Sequence, residues 1–152
     1  MDAQEWDALL QRSLERATPF TRGVFGSQSM TGQEVLDLLR RVRSVVVGTT
    51  SPAGAPHLSV TGPILWNGRL YLGFSPQAAT YRHLQRSPRI AVVAHHGWRK
   101  VLILEGEARL VPNEEEAQHV RQAEEARHGW TSPALVEVIP RKAFTWKGET
   151  TG

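Results

Sequence analysis

The chain has 152 residues and a mass of 16.9 kDa, the size of one domain. Hydrophobic residues make up 40% and charged residues 22%, with no cysteine; this excludes a disordered or coiled-coil chain, a disulfide scaffold, a thiolate nucleophile and cysteine-held metal clusters. The 18 lysines and arginines exceed the 15 carboxylates by three and never form a run of five, so the footprint of a nucleic-acid binder is missing despite a pI near 9.8.

The opening residues Met1-Asp2-Ala3-Gln4-Glu5 are acidic and lack the basic start and apolar stretch of a signal peptide. Apolar runs such as Val45–Val47 and Ile90–Ala94 are far shorter than the roughly 20 residues of a membrane helix. A cytoplasmic protein with no membrane partner is expected. Trp6, Leu9, Leu10 and Leu14 recur at helical spacing and predict a helix over residues 3 to 16. Pro19 to Gly32 is rich in Gly, Ser and Thr and reads as an extended arm. Thr31 and Glu34 form a capping box, with Val35, Leu38, Leu39 and Val42 on one face of the helix that follows.

From Ser44 the period changes. Val45 to Thr49 is a β-branched strand covered on both faces, and Ser51 to Pro56 is a turn. His57 to Trp66 reads as one strand, turned by Asn67-Gly68 into another over Arg69 to Phe74. Ser75-Pro76 resembles a helix start, the helix running to about Arg86. Strands follow over Arg89 to His95 and Lys100 to Val111, then a helix capped by Asn113 with Glu116 in its first turn. The last strand, Leu135 to Trp146, carries Pro140, which argues for an edge position or a bulge. Short loops and a dominant hairpin favour an α+β fold: a mostly antiparallel split β-barrel with flanking helices. The expected organisation is a helix and arm over residues 1–30 and a barrel over 31–152, one domain overall.

Chemical motifs are sparse. His95 and His96 are adjacent on a strand and point to opposite faces, so they do not chelate together. His57 and His83 are candidates for a lone axial contact to haem. No nucleophile elbow and no glycine-rich phosphate loop occurs. Glu105 and Glu107 read as a solvated strand face rather than a catalytic pair.

A resemblance lies in the order of four segments. These are Gly54-Ala55-Pro56-His57, Trp66-Asn67-Gly68-Arg69-Leu70-Tyr71-Leu72, Tyr81-Arg82-His83-Leu84-Gln85-Arg86-Ser87-Pro88-Arg89, and Val101 to Leu110 with its Glu105-Gly106-Glu107-Ala108 core. Together with Val138-Ile139-Pro140 and Trp146, this order resembles the pyridoxamine 5′-phosphate oxidase-like flavin-binding split barrels. The resemblance implies a homodimer holding flavin mononucleotide, or a deazaflavin, in two equivalent grooves between subunits. It implies that Ser59, Val60 and Thr61 lie against the ring and that Phe74, Ser75 and Thr80 meet the phosphate. Trp98, Arg99 and Lys100 would come from the second subunit.

Departures from the family pattern fall at the phosphate. The helix lysine is Thr80, the asparagine three residues later is His83, and the preceding serine-arginine pair is Ala78-Ala79. The oxidases' arginine on the second strand is Ser59. A dianion buried without cations is poorly compensated, which leaves Arg82, Arg99 and Lys100 to supply the charge. The expectation is a flavin- or deazaflavin-dependent oxidoreductase acting on a small molecule other than pyridoxamine phosphate. The alternative is a non-redox dimer on the same fold, binding haem or no cofactor.

Overall fold

Seven strands form a single sheet in the order β2-β1-β5-β6-β7-β4-β3, and every neighbouring pair runs antiparallel. The structure is a computed structural model that describes residues 1–148. Its elements are α1 (Ala3–Glu15), α2 (Pro19–Phe25), α3 (Gly32–Arg41), β1 (Val45–Thr50), β2 (Pro56–Thr61), β3 (Pro63–Trp66), β4 (Arg69–Phe74), α4 (Ala79–Arg86), β5 (Arg89–His96), β6 (Lys100–Leu110), α5 (Glu114–His128) and β7 (Ala134–Lys147). β2 and β3 are consecutive in the chain yet occupy opposite ends of the strand order, so the sheet curls into a half-barrel. Thr61 Oγ1 on β2 donates to the Gly73 carbonyl on β4 (2.9 Å) and draws the two ends together.

Local rules account for most boundaries. Asp2 and Glu5 close a capping box on α1, and Thr31 and Glu34 close another on α3. Asn67 and Gly68 both take positive φ (52° and 70°), the conformation a two-residue hairpin needs. Trp6, Leu9 and Leu10 of α1 join Val35, Leu39, Val47, Leu72, Leu102, Leu104 and Val136 in one core, so α1 fills the barrel's open side.

Three expectations need correction, and a fourth is decided between its two alternatives. The stretch from Pro19 is not an extended arm throughout, because Pro19–Phe25 is a helix capped by Thr18. Its Phe25 ring stacks on Phe144 at 5.4 Å, a tertiary contact that local composition does not reveal. The expected strand His57–Trp66 breaks at Gly62 into β2 and β3, where a Cβ would come within 2.8 Å of the His128 ring. Ser75-Pro76 does not start α4: those residues form a turn closed by Ala78 N–H to the Ser75 carbonyl, and the helix begins at Ala79 without a side-chain cap. Pro140 marks a bulge and not an edge, since β7 pairs with both β6 and β4. Opposite it the register shifts at Glu105/Gly106, and Gly106 sits so close to Ile139 that a Cβ would lie 2.1 Å from the carbonyl oxygen.

α5 finishes the β3–β4 side of the sheet. Glu124, only 1% exposed, accepts hydrogen bonds from Ser132 N–H (2.6 Å) and Ser132 Oγ (2.5 Å). Arg127 donates to the Leu39 and Val42 carbonyls, and His128 Nε2 donates to the Pro63 carbonyl (2.8 Å). Tyr71 donates to Glu116 (2.7 Å), Arg109 pairs with Glu116, and Arg109 also pairs with Glu137 (2.8 Å). Among the described residues no helix is long and apolar enough to cross a membrane.

Candidate functional site

β2 carries two different faces because successive residues alternate sides. His57, Ser59 and Thr61 form a half-buried inner row, whereas Leu58 and Val60 point outward and are 71% and 66% exposed. The inner row meets α4. Thr80, buried on the first turn of α4, donates from Oγ1 to Ser59 Oγ (2.8 Å). Thr49 Oγ1 of β1 and His83 Nδ1 share a hydrogen bond of 3.0 Å. The His57 and His83 rings lie edge to face with centroids 5.1 Å apart. Ser59, Thr80, Thr49, His83 and His57 are therefore linked in one group of hydroxyls and imidazoles, with Thr61 on the same face of β2 and no lysine or arginine among them.

The remaining expected residues divide. Phe74 is buried at the end of β4, next to the Gly73 carbonyl that holds Thr61. Ser75 is exposed, its hydroxyl accepting from Gln77 N–H (3.3 Å), and Arg82 is exposed on α4. Val60 is on the opposite face of β2 from Ser59 and Thr61. Trp98 and Arg99 lie in the β5–β6 turn and Lys100 opens β6, at the far end of β5 from α4. Within one chain they do not join the Ser59–Thr80 group.

That turn has its own surroundings. Trp98, 84% exposed, borders an apolar hollow of about 340 Å³ with Val93, His95 and Val101. Arg99 and Lys100 line a larger cavity of about 580 Å³ with Glu34, Arg41, His96 and Lys147. Glu34 accepts from Lys147 Nζ (2.9 Å) and pairs with Lys100 (3.8 Å). Partial burial alone would push its carboxyl up, but the Lys147 and Thr31 hydrogen bonds and the two ammonium charges hold it below the ordinary range. Arg41 and Arg99 pair with no carboxylate among the described residues. Sequence reasoning missed Glu34, Arg41 and Lys147 here, because α3, the β5–β6 turn and the end of β7 converge only in the folded chain.

The outer face of β2, β1, β5 and the first half of β6 is apolar and open. The register places Val46 between Val60 and Val93, Val93 beside Ile103, Gly48 beside Leu58, and Val101 beside Trp146. None of Val46, Leu58, Val60, Val93, Val101 or Ile103 is buried. A contiguous apolar surface of this kind marks an interaction face. Among the described residues no cluster of three or more His, Asp or Glu is placed to hold a metal.

A family model described as pyridoxamine 5′-phosphate oxidase matches residues 31–149. A conserved hypothetical protein from Mycobacterium tuberculosis superposes with a TM-score of 0.70 at 19% identity, over 82% of this chain and 96% of that one. An FAD-binding protein from Mesorhizobium loti superposes at 0.67 and 14% identity, over 80% and 98%. The FAD binding protein from Mycobacterium smegmatis does so at 0.59 and 18%, over 80% and 99%. At such identities the likeness is one of fold. No curated protein matches the sequence.

Proposed function

The chain belongs to the pyridoxamine 5′-phosphate oxidase family, and from that premise we propose that two copies bind a flavin-type cofactor between them and use it in an oxidoreductase reaction on a small molecule. The observation that carries the reading is the uncovered apolar face directly behind the polar inner row of β2. Leu58 and Val60 stand on one side of the strand, and Ser59 and Thr61 on the other. Covering that face with a second copy removes Leu58, Val60, Val93 and Val101 from water, and a stable interface of this kind buries roughly 1,600 Å² in total.

The residues present fit such a cofactor on one condition. β2 is an edge strand, so one row of its backbone amides is unused by the sheet and is available to a planar polar ring. The Ser59, Thr61, Thr80 and His83 side chains offer hydrogen bonds, and Phe74 and Ser75 follow directly on Gly73, whose carbonyl accepts from Thr61. A phosphate dianion also needs positive charge. In this reading Arg82 supplies part of it, and Arg99 and Lys100 of a second copy supply the rest, with Trp98 covering the ring.

Flavin mononucleotide is the cofactor in this reading; two fold relatives are described as FAD-binding, and a deazaflavin presents a ring of the same shape. When bound, the flavin carries the hydride, and the protein orients the ring and excludes water. Ser59 and Thr61 hold the ring edge, Thr80 and His83 orient the chain below it, and the apolar contact between copies keeps the groove dry. Pyridoxamine phosphate is not the substrate, because the positions that carry arginine and lysine in the oxidases are Ser59 and Thr80 here.

The test is the absorbance spectrum of the purified protein, followed by titration with flavin mononucleotide, FAD and a deazaflavin. One of the three is expected to bind with micromolar or tighter affinity and to be reducible in place. A protein that binds none of them, or that instead develops a Soret band on haem addition lost in His57→Ala or His83→Ala, removes the redox reading.

A further inference from the structure

Residues 1–30 precede the stretch that matches the family, and they build half of a separate cavity at the other side of the sheet. The last turn of α1 and the turn into α2 face β7 across a hollow of about 410 Å³. Arg12, Arg16 and Thr21 line it from the N-terminal segment; Arg141, Lys142 and Phe144 line it from β7. No carboxylate is among its lining residues. Lys142 stands across β6, β5 and β1 from the β2 strand that carries Ser59, so this hollow is distinct from the Ser59–Thr80 group described above.

The charge in the hollow is poorly offset. Arg141 reaches Glu107 at 3.4 Å and Lys142 reaches Glu105 at 3.5 Å, but all four side chains are more than half exposed. Such pairs contribute little in water and yield readily to a better anion. Arg12 and Arg16 pair with no carboxylate among the described residues. The carbonyls at the end of α1 would repel an anion, yet Arg22 already occupies them, donating to Ala17 (2.7 Å) and Glu15 (3.5 Å). Thr21 Oγ1 accepts from Thr18 (3.1 Å), and its own proton has no acceptor among the described residues. Phe144 gives the hollow an apolar floor: Phe25 stacks on its ring at 5.4 Å, and Lys142 Nζ lies 5.6 Å from the ring centre.

We infer that this hollow binds a phosphate-bearing small molecule, its phosphate on Arg12, Arg16, Arg141 and Lys142 and its organic part against Phe144. Three guanidinium forks match phosphate geometry better than a single carboxylate does. With Arg141 and Lys142 partly offset by Glu107 and Glu105, about two positive charges remain for a dianion. A cavity of this volume falls within the range of small-ligand sites. Nucleic acid is disfavoured by the concave shape and by the net charge of +3. The inference does not depend on the cofactor reading, since nothing in it involves β2 or α4.

The experiment is calorimetric titration of the full chain with inorganic pyrophosphate at fixed ionic strength, using sodium chloride as the control. Pyrophosphate is expected to bind, chloride not to compete at matched ionic strength, and the exposed pair Arg12→Gln/Arg16→Gln to weaken binding at least tenfold without moving the melting temperature. Arg16→Lys, which keeps the charge and loses the fork, is expected to weaken it about threefold. Equal binding by the double variant, or equal displacement by chloride, identifies an adventitious ion only and overturns the site. Binding of a DNA duplex without binding of pyrophosphate overturns it in favour of a polyelectrolyte surface. Loss of flavin binding together with pyrophosphate binding in the same variant would place the hollow in the cofactor groove and overturn its independence. Failure of every flavin to bind while pyrophosphate still does would remove the redox reading and leave this site standing.

Discussion

The two ends of the sheet are finished in different ways. On the β3–β4 side, α5 lies over the strands and satisfies the polar groups it buries: Glu124 takes both donors of Ser132, His128 takes the Pro63 carbonyl, and Tyr71, Glu116, Arg109 and Glu137 form one chain of hydrogen bonds and charges. On the β2–β1–β5–β6 side no element among the described residues covers the outer face, and Leu58, Val60 and Trp98 are left largely in water. A side that is complete owes its stability to internal contacts. The open side is the face on which the proposed second copy would dock, and the inner row of β2 sits at its border.

The sharpest way to break that comparison is to charge the open side. Val60→Asp should convert a particle of twice 16.9 kDa into one of 16.9 kDa on light scattering. Its dimer dissociation constant should rise by at least about 100-fold, because a carboxylate would be buried unpaired at the contact. Flavin binding should fall with it, while the melting of the α5 side is unchanged. A wild-type protein that scatters as a single chain would undo the comparison outright.

The closed side predicts smaller effects that do not depend on association. Glu124→Ala strands both Ser132 donors and should cost about 3 kcal/mol in urea denaturation. Tyr71→Phe removes one hydrogen bond in the network and should cost about 1 kcal/mol at neutral pH. Burial, aided by the bond to Glu116 and only partly opposed by Arg69, pushes the Tyr71 phenol up to about 12. The folded chain keeps its proton where the unfolded chain, near the ordinary value of 10.0, has lost it. Stability is therefore whole below pH 10 and declines towards pH 12, and the Phe variant should lack this decline.

The smallest effect is at the acid end. Burial raises the Glu116 carboxyl, but Arg109 and Tyr71 hydrogen bonds outweigh it and hold the group below its ordinary 4.5. Glu34 is likewise held below that value. Their contribution is present above about pH 4.5 and disappears as pH falls through the lowered folded values. Glu34→Gln should flatten that acid limb slightly and leave the alkaline limb alone, as denaturation midpoints at pH 3 and pH 6 would show.

Much of the architecture was legible in the chain. Thr31 with Glu34, and Asn67 with Gly68, are local devices whose geometry needs only residues near in sequence. What stayed hidden depends on partners far along the chain. Pro19–Phe25 opens on a local signal that composition masked, Thr18 as cap with proline in the first turn, while the contact that seats it, Phe25 on Phe144, lies more than a hundred residues on. Gly62 looks like the interior of a strand until His128 is seen beside it. At the candidate site, alternation along β2 separates Ser59 and Thr61 from Val60. The pairing of Ser59 with Thr80, and of His83 with Thr49, depends on how α4 lies against β1 and β2, which no periodicity encodes.

One feature of the strand order governs how the molecule is made. Among the described strands β7 alone pairs the β3–β4 hairpin with the other four, and it follows all of them in chain order. Until it emerges, Ile64 and Leu72 belong to an isolated ribbon with bare edges, the kind of intermediate that chaperones shield and that aggregates at high expression. Slow synthesis at low temperature should therefore raise the yield of native protein, and truncation within residues 134–147 should divert it to inclusion bodies.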